Sequence, residues 1–382
     1  MSNTSAPTKV KNHINQPSKI RVGLVGVGNW ALYAHVRMLN LMQQYEMVAV
    51  YSQRAEAAQA AAREHGIAHV AASLADLVNH PEVDLVLVLT TGPQHEKAIR
   101  AAIAAGKDVY CEWPLTPNAK TTAELVELAR AAGVRTILGT QRRFAPAFRY
   151  VKDLIAEGYV GKIRSVRMHV SVNSFGKLRD NALRWSVLPE NFMGVVSIFG
   201  AHFMDPLFSV VGRPASFSAV LKNQFPEVTI VETGEVFQTT VPDQLVMSGI
   251  LANGAVFAVH IEGGKHNGSG VQIDITGEAG DLQLVNEHAF GGVDQHYEVH
   301  GANGDNQRLA RLPIPASYDW LPPTSGIQTG ALELADLYEV YARDIANGTQ
   351  TVPTFEDASW MQTFLNHAAD SSRTGQRIEI DA

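Results

Sequence analysis

The sequence predicts an α/β domain of the Rossmann type, followed by an α+β domain with a large, mainly antiparallel, open-faced sheet. Strand-like and helix-like segments alternate from Lys19 to Gly139, a glycine-rich turn follows the first strand, and the pattern changes to short alternating strands after Gly161. Alternation of strands with helices predicts a parallel sheet with right-handed crossovers. Period-two patterns between turns predict antiparallel strands with one solvated face.

The elements of the first domain follow each other at short intervals. Apolar runs predict strands at 19–27, 47–51, 83–90, 108–112 and 135–139, and helical patterns occupy 31–44, 55–65, 94–105 and 120–132. The run 83–90 is almost continuously apolar, which is typical of a parallel strand buried on both faces. Ser73 is a candidate N-cap for a further short helix.

The second domain begins with a predicted helix at 148–157. Period-two patterns then occupy 163–172, 244–261, 271–275 and 281–284, and amphipathic segments at 332–345 and 358–371 predict two late helices. We therefore predict a flexible tail at 1–18, an α/β domain at 19–142 and a sheet domain with C-terminal helices at 143–382.

Composition restricts the class of protein. The chain has 382 residues, a net charge of −7 and one cysteine, Cys111, in a stretch typical of a buried strand. The negative charge argues against a broad surface for nucleic acid or anionic membranes, and one cysteine excludes an internal disulfide. The tail lacks the apolar core of a secretory signal, and no apolar run is long enough to predict a membrane span. The scattered histidines form no metal motif. We expect a cytoplasmic protein without a bound metal.

The turn after the first strand carries a dinucleotide-binding pattern. Gly26-Val27-Gly28-Asn29-Trp30-Ala31 matches G-x-G-x-x-A and stands between a predicted strand and a predicted helix. In such a turn Gly26 allows the sharp bend, Gly28 lets a pyrophosphate approach the backbone, and Ala31 lets the helix pack on the strand. The helix N-terminus, with Asn29 and Trp30, offers free N–H groups to the phosphates. A bound dinucleotide is favoured over a glycine turn without a ligand.

The end of the second strand indicates which dinucleotide is bound. NAD sites usually have an aspartate or glutamate here that holds the ribose 2′-hydroxyl, whereas this chain has Ser52-Gln53-Arg54. A serine can donate to a 2′-phosphate, and an arginine can pair with it bidentately. We therefore expect NADP in preference to NAD; the alternative is that Arg54 is only a solvated residue at a helix start.

Further motifs resemble those of one oxidoreductase family. The chain matches them in order at Gly23, Gly26 and Gly28, then at Thr91 to His95, Ala105 to Leu115, Arg143 to Pro146 and Gly200 to Asp205. From about residue 20 onward it resembles the glucose–fructose oxidoreductase/inositol dehydrogenase/MocA (Gfo/Idh/MocA) family, and most of all the branch that contains the fungal galactose-pathway repressor. The resemblance implies a Rossmann domain with an open-faced sheet domain and, in many members, oxidation or reduction of sugars and polyols.

Two departures from the family pattern affect catalysis. The position of the family's catalytic lysine is Trp113, and the position of its aspartate four residues before the histidine is Ile198. Tryptophan cannot transfer a hydroxyl proton, whereas imidazole titrates near neutral pH. His202 is therefore the candidate catalytic residue. The alternative is a structural histidine bonded to Asp205.

The resemblance also implies which residues line the cofactor site. Thr90 and Glu112 end two predicted strands, and His95 and Trp113 follow them, at the edge where parallel sheets bind ligands. His95 either lines the pocket or packs at a helix N-terminus, and Trp113 either stacks on nicotinamide or a sugar or packs in the core. Arg143 either closes the pocket or pairs with surface acids. Weaker candidates for substrate contacts precede His202, namely Arg179, Arg184, Trp185 and Asn191.

Three functions are open. We favour an NAD(P)-dependent oxidoreductase that acts on a sugar, polyol or glycoside by hydride transfer, with His202 handling the proton. The second is a catalytically silent dinucleotide sensor that binds a protein partner, and the third is an enzyme whose bound cofactor cycles internally. We expect a homodimer or homotetramer with a sugar-like ligand, and neither nucleic acid nor a membrane as partner.

Overall fold

A six-stranded parallel sheet organises the N-terminal part of the protein. The computed structural model describes residues 19–321 and 325–380, so the predicted tail at 1–18 lies outside the described residues. The strands of this sheet are β1 (Ile20–Val25), β2 (Tyr45–Tyr51), β3 (His69–Val70), β4 (Leu85–Val88), β5 (Asp108–Glu112) and β6 (Thr136–Gly139). Their order is β3-β2-β1-β4-β5-β6, with every neighbouring pair parallel. This is the doubly wound Rossmann order, so the predicted class of this domain is confirmed.

Helices connect these strands. They are α1 (Arg37–Leu41), α2 (Ala55–His65), α3 (Leu74–Val78), α4 (Gly92–Ala104) and α5 (Ala119–Ala132), and a π-helical segment, Ala31–Val36, leads into α1. The Ser73 side chain caps α3 by accepting a hydrogen bond from the backbone N–H of Asp76. The first helix ends at Leu41 instead of the predicted Gln44, because Met42 is extended and the buried Tyr45 already belongs to β2.

The second half of the chain contains two further sheets. Their strands are β7 (Ile163–Ser171), β8 (Leu178–Arg179), β9 (Pro214–Lys222), β10 (Glu227–Ile230), β11 (Val236–Gln238), β12 (Gln244–Leu251), β13 (Val256–Glu262), β14 (Gly270–Gly277), β15 (Gly280–Asn286), β16 (Glu298–Asn303), β17 (Ala310–Arg311) and β18 (Ile378–Glu379). Nine of them form one sheet in the order β17-β16-β15-β14-β7-β13-β12-β9-β18, and β8, β10 and β11 form a small one. In the large sheet only β7 and β13 run parallel, so the predicted mainly antiparallel sheet is confirmed.

Four helices accompany these sheets: α6 (Pro146–Ala156), α7 (Val195–Val211), α8 (Thr329–Asn347) and α9 (Phe355–Thr374). Short 3₁₀ segments occur at Gln141–Phe144, Asn181–Val187, Pro189–Asn191 and Ala316–Tyr318. One face of the large sheet packs on α7 and α9. The other face bears side chains such as Ser218, Ala258 and Gln272, which remain exposed.

The sequence of α7 shows no amphipathic periodicity that would predict a helix, because this helix is apolar on nearly every side. Within the described residues, the helical stretch Pro189–Val211 is long and apolar enough to cross a membrane by length and composition alone. This differs from our expectation that no such run exists. The most apolar window of this stretch is 83% buried inside the fold, as a core helix would be.

Helix α8 packs on the N-terminal sheet although it belongs to the last part of the chain. Its buried side chains Leu334, Leu337 and Tyr338 share one hydrophobic core with β1 and the segment that follows it. The phenol of Tyr45 donates a hydrogen bond to the carbonyl of Tyr338 at 2.6 Å. The boundary predicted at residue 142 lies just after the last strand of the parallel sheet, but a helix from the end of the chain also covers that sheet.

Candidate functional site

A cavity of about 820 Å³ lies along the carboxyl ends of β1, β2, β4 and β5. Parallel α/β sheets bind ligands at this edge. Eight of the predicted cofactor residues line it: Gly26, Gly28, Asn29, Trp30, Ser52, Arg54, Thr90 and Glu112. From the second domain, Ala182 and Trp185 also reach it, so the cavity is formed by both halves of the chain.

The glycine turn fits a pyrophosphate group. Gly26 has φ of +105°, and a Cβ there would lie 2.9 Å from the carbonyl oxygen of Leu89, so only glycine suits this position. A Cβ on Gly28 would have no described atom within 4 Å, so the backbone there is open to an approaching ligand. The hydroxyl of Thr90 is buried and has no hydrogen-bond partner among the described residues. Backbone N–H groups at the following helix start complete a cradle suited to phosphate.

The end of β2 presents polar groups without a carboxylate. Ser52 Oγ accepts a hydrogen bond of 3.2 Å from the backbone N–H of Arg54, and the Arg54 side chain is exposed beside the cavity. Among the residues that line the cavity in the described chain, Glu112 at the end of β5 is the only acid. The described residues that line this end of the cavity therefore include no acid that would repel a 2′-phosphate.

Glu112 is fixed by a buried hydrogen-bond network. Its Oε1 accepts from His35 Nε2 at 2.6 Å and from the Tyr110 phenol at 2.8 Å. An ionised carboxylate can only accept, so His35 donates to it through Nε2, and the other ring nitrogen, Nδ1, is hydrogen-bonded to the phenol of Tyr338 at 2.6 Å. Burial would raise the pKa of Glu112, but the hydrogen bonds from His35 and Tyr110 hold that pKa below its usual value. Glu112 is therefore anionic at neutral pH.

Sequence reasoning missed His35 and Tyr338, the residues behind Glu112. The available signal is local: His35 lies on the buried side of the helical segment that follows the glycine turn. Nothing near Tyr338 in the sequence connects it to a turn more than three hundred residues earlier in the chain.

His202 lies on α7 in a closed environment beside this network. The side chain is buried, its ring centroid is 5.6 Å from that of Phe290, and Nδ1 has no hydrogen-bond partner among the described residues. It is not bonded to Asp205, contrary to the structural alternative, because Asp205 pairs with Arg143. Burial and the positive charge of Arg142 lower the pKa of His202 to about 4, against an opposing effect of Glu112. The imidazole is therefore neutral at pH 7.

Arg142, which sequence reasoning passed over in favour of its neighbour Arg143, lies buried next to His202. Its guanidinium is held between the rings of Phe203 and Phe290, 4.5 and 4.7 Å from their centroids. It donates to the Tyr297 phenol at 3.0 Å and is 3.7 Å from Glu333, whose carboxylate has no hydrogen bond among the described residues. Burial raises the pKa of Glu333 to about 6. Several buried polar atoms in this region thus retain unused hydrogen-bonding capacity, which a polar ligand or water would satisfy.

Three predicted cofactor residues lie outside the cavity lining. Trp113 is buried and donates its indole N–H to the carbonyl of Ser197 at 2.9 Å, so it joins β5 to α7 instead of facing a ligand. His95 is buried with its ring nitrogens 2.9 Å from the carbonyls of Thr90 and Pro114, which places it behind the wall.

Arg143, the third of these residues, pairs with an interior acid instead of a cofactor. Its Nε donates to Asp205 at 2.9 Å, and Nη2 is 3.5 Å from Asp357. Asp205 is buried, so the pair joins the 3₁₀ segment after β6 to α7. The sequence alternative in which Arg143 pairs with surface acids also differs from this arrangement.

The weaker candidates before His202 separate in the structure. Only Trp185 lines the cavity. Arg179 is buried and donates to Ser186 Oγ at 2.8 Å, Arg184 pairs with Glu235, and Asn191 donates to the carbonyl of Trp185 at 2.9 Å. These three residues therefore hold the segment that presents Trp185.

Metal chemistry finds no support in the described part of the chain. No group of three or more His, Cys, Asp or Glu side chains there is arranged to hold a metal ion. Cys111 is buried in β5, and burial raises the pKa of its thiol well above the usual value.

The sheet order, the glycine turn and the cavity define a dinucleotide-binding protein of the Rossmann type. Residues 20–140 match the model of an oxidoreductase family with an NAD-binding Rossmann fold (GFO_IDH_MocA), and residues 146–286 match that of the Gal80p C-terminal domain. The chain is 30% identical over 345 residues to the 1,5-anhydro-D-fructose reductase of Ensifer adhaerens. This match covers 88% of this chain and 91% of the reductase. The chain thus belongs to the Gfo/Idh/MocA family, as the resemblance indicated.

Other similar proteins include both regulators and enzymes. The galactose/lactose metabolism regulatory protein GAL80 of Saccharomyces cerevisiae is 26% identical over 327 residues, 78% of this chain and 75% of that one. A super-repressor mutant of Gal80p from the same yeast has a TM-score of 0.84 at 21% identity, over 95% of this chain and 98% of the other. Levoglucosan dehydrogenase in complex with NADH and L-sorbose has a TM-score of 0.83 at 21% identity, and the match covers 96% of this chain and 100% of the other. The whole-chain fold is therefore shared with both kinds of protein.

Proposed function

We propose that this protein is an NADP-dependent oxidoreductase that transfers a hydride to or from a sugar, polyol or glycoside. The observation that carries the proposal is the arrangement at the end of the cavity. The glycine turn and Glu112 lie along the same cavity, and His202 is buried behind its lining, with an unpartnered Nδ1 among the described residues and close enough to Glu112 for each charge to shift the other's pKa.

The protein's own groups account for cofactor binding and orientation. The backbone at Gly28 and the helix start would hold the pyrophosphate, and Thr90 offers its unpartnered hydroxyl. Ser52 and Arg54 would hold the 2′-phosphate. When bound, the nicotinamide supplies the hydride acceptor or donor.

His202 is suited to accept the proton of a substrate hydroxyl. Its imidazole is neutral at pH 7, so Nδ1 is free to accept, and Glu112 stabilises the imidazolium that results. Arg142 opposes that charge, which helps the proton to leave again. Trp113 cannot take this role, because its indole N–H is already bonded to Ser197 in the core.

The first prediction concerns cofactor choice: NADP should bind more tightly than NAD. Arg54→Ala should weaken NADP selectively, by about tenfold, because a charge-assisted bidentate contact is lost and NAD never makes it. Calorimetric titration with both nucleotides measures this. Arg63→Ala, an exposed arginine on the same helix, is the control and should leave both affinities unchanged. Tighter binding of NAD by the wild type would refute the assignment.

Activity is tested by following reduced nicotinamide absorbance with a panel of sugars and polyols. The panel should include 1,5-anhydro-D-fructose and levoglucosan, because a relative in sequence is named for the first compound and a solved structure with the same fold is named for the second. Turnover that requires NADP supports the proposal.

A second candidate is a silent sensor that binds NADP and a protein partner. The specific observation in its favour is the buried Trp113 in the position of the family's catalytic lysine, together with the match of residues 146–286 to the Gal80p C-terminal domain. NADP binding without turnover on any member of the panel would favour it. A homodimer or homotetramer stays a prediction, which light scattering decides.

A further inference from the structure

Glu112 and the 2′-phosphate-binding residues lie at different ends of the same cavity. Ser52 and Arg54 follow β2, in the half of the sheet that holds the adenosine in a doubly wound fold. Glu112 ends β5, across β1 and β4 in the other half. The second half of such a sheet receives the other nucleotide, so Glu112 belongs to the nicotinamide end.

The Glu112 carboxylate is held in one orientation. Both donors, His35 Nε2 and the Tyr110 phenol, are bonded to Oε1, and no described residue donates to Oε2. The side chain retains 19% exposure, and that exposure is to the cavity. His35 is a positioning residue, because it is itself anchored by Tyr338 and does not line the cavity.

Glu112 carries the only negative charge among the described residues that line the cavity, and the histidine that pairs with it, His35, lies behind the cavity wall. The two basic residues that line the cavity, Arg54 and Lys97, are exposed, so water screens them. The buried Arg142 has its own counter-charge in Glu333, 3.7 Å away. In a partly desolvated pocket, the charge of a carboxylate that faces the cavity acts more strongly on a neighbouring ligand charge than it would in bulk water.

We propose that Glu112 makes this protein bind the oxidised nicotinamide nucleotide more tightly than the reduced one. This inference rests on the proposed function, in particular on NADP as the cofactor. The oxidised ring is cationic and the reduced ring is neutral, whereas the rest of the two molecules is the same. An anionic carboxylate beside the ring therefore attracts only the oxidised form.

Such a preference ties the occupancy of the site to the ratio of oxidised to reduced nucleotide. For an enzyme it retains the hydride acceptor and releases the reduced product. For a sensor it is the signal itself. The inference therefore applies to both candidate functions.

The test is a calorimetric titration of the full chain with NADP⁺ and with NADPH, for the wild type, Glu112→Gln and Glu127→Gln. Glutamine keeps the shape of the side chain and can still accept from His35 and Tyr110. Glu127 is an exposed glutamate on α5, so its substitution removes the same charge away from the cavity. We expect Glu112→Gln to weaken NADP⁺ binding about five- to twentyfold, the scale of one charge pair in a partly buried site, with NADPH affinity nearly unchanged. Glu127→Gln should alter neither.

The outcomes separate the inference from the proposed function. An unchanged ratio of the two affinities in Glu112→Gln would overturn the inference while leaving NADP binding intact. Failure of the wild type to bind either form would instead overturn the proposed function. If Glu112→Gln does not fold, the wild type decides: NADP⁺ should bind more tightly than NADPH, and the reverse order would reject the role of Glu112.

Discussion

His202 combines burial, a missing hydrogen-bond partner and a positively charged neighbour, and these features together keep it neutral. An ordinary buried histidine donates or accepts at both nitrogens, as His35 does. At His202 the Nδ1 atom is free among the described residues, while Arg142 disfavours protonation. A neutral ring with a free acceptor is what a proton-accepting group needs.

The role of His202 predicts a loss of turnover on substitution. His202→Ala should lower kcat by roughly 10²–10⁴-fold, the usual contribution of general acid–base catalysis. NADP affinity should change little, because His202 is outside the cavity lining. Steady-state kinetics and titration measure the two effects, with the exposed His266→Ala as the control. Full activity in His202→Ala would show that another group carries the proton.

The shifted pKa values of two buried side chains, His202 and Glu333, also predict how the free energy of unfolding depends on pH. The pKa of His202 is about 4 in the folded protein against about 6.5 when unfolded. Its contribution to the free energy of unfolding is therefore complete above pH 6.5 and is lost as the pH falls towards 4. Glu333 has a folded pKa of about 6, raised from 4.5, so it acts in the opposite sense and favours the folded state as the pH falls through that range.

Substitution separates these two contributions. Each group changes the slope of stability against pH by at most about 1.4 kcal/mol per pH unit. We expect His202→Gln to flatten the loss of stability between about pH 6.5 and 4.5, and Glu333→Gln to steepen it. Urea unfolding at several pH values measures the slopes. If the free energy of unfolding of both variants changed with pH in parallel with that of the wild type, neither group would have the shifted pKa that its surroundings imply.

At the scale of elements, the two glycines of the turn, Gly26 and Gly28, have different surroundings. Gly26 is required by the fold, because φ is positive and a Cβ would meet Leu89 at 2.9 Å. The Cβ direction of Gly28 is open, so we expect this glycine to be needed for the ligand and not for the fold.

Paired substitutions test this division. Gly28→Val should abolish NADP binding with little change in stability, since the new side chain would occupy the space of the pyrophosphate. Gly26→Ala should lower the free energy of unfolding by about 1–3 kcal/mol, the usual cost of a strained backbone position. Titration and denaturant unfolding measure the two effects. Unchanged affinity in Gly28→Val would place the ligand elsewhere.

The elements that the sequence predicts well are those with local signals. The glycine turn, the capped helix at Ser73 and the strand around Val86 depend on neighbouring residues, and they are found where expected. Helix α7 has no amphipathic period because it is buried all round, so its sequence does not distinguish it from a strand or a loop.

Side-chain direction is the part of the site that the sequence does not contain. Trp113 directly follows Glu112, the last residue of β5, but only Glu112 faces the cavity. In the same way Arg143 faces Asp205, while its neighbour Arg142 lies beside His202. Such differences depend on tertiary contacts with α7 and α8, which are distant in the sequence.

At the scale of the whole molecule, α8 connects the two halves of the chain. It covers the N-terminal sheet through Leu334, Leu337 and Tyr338, and it places Glu333 next to Arg142, in the segment that follows β6. Tyr338 also anchors His35, which holds Glu112. The geometry of the cavity therefore depends on a helix near the end of the chain.

This arrangement predicts that a core substitution in α8 weakens both halves together. Leu337→Ala removes a side chain with 0% exposure and should lower the free energy of unfolding by about 2–5 kcal/mol. Because α8 packs against both halves, we expect far-UV circular dichroism and tryptophan fluorescence to report one coincident denaturant transition, in the variant as in the wild type. Ile345→Ala, on the same helix but 40% exposed, is the matched control and should cost under about 1.5 kcal/mol. Two separated transitions in Leu337→Ala would show that the halves unfold independently and that α8 does not couple them.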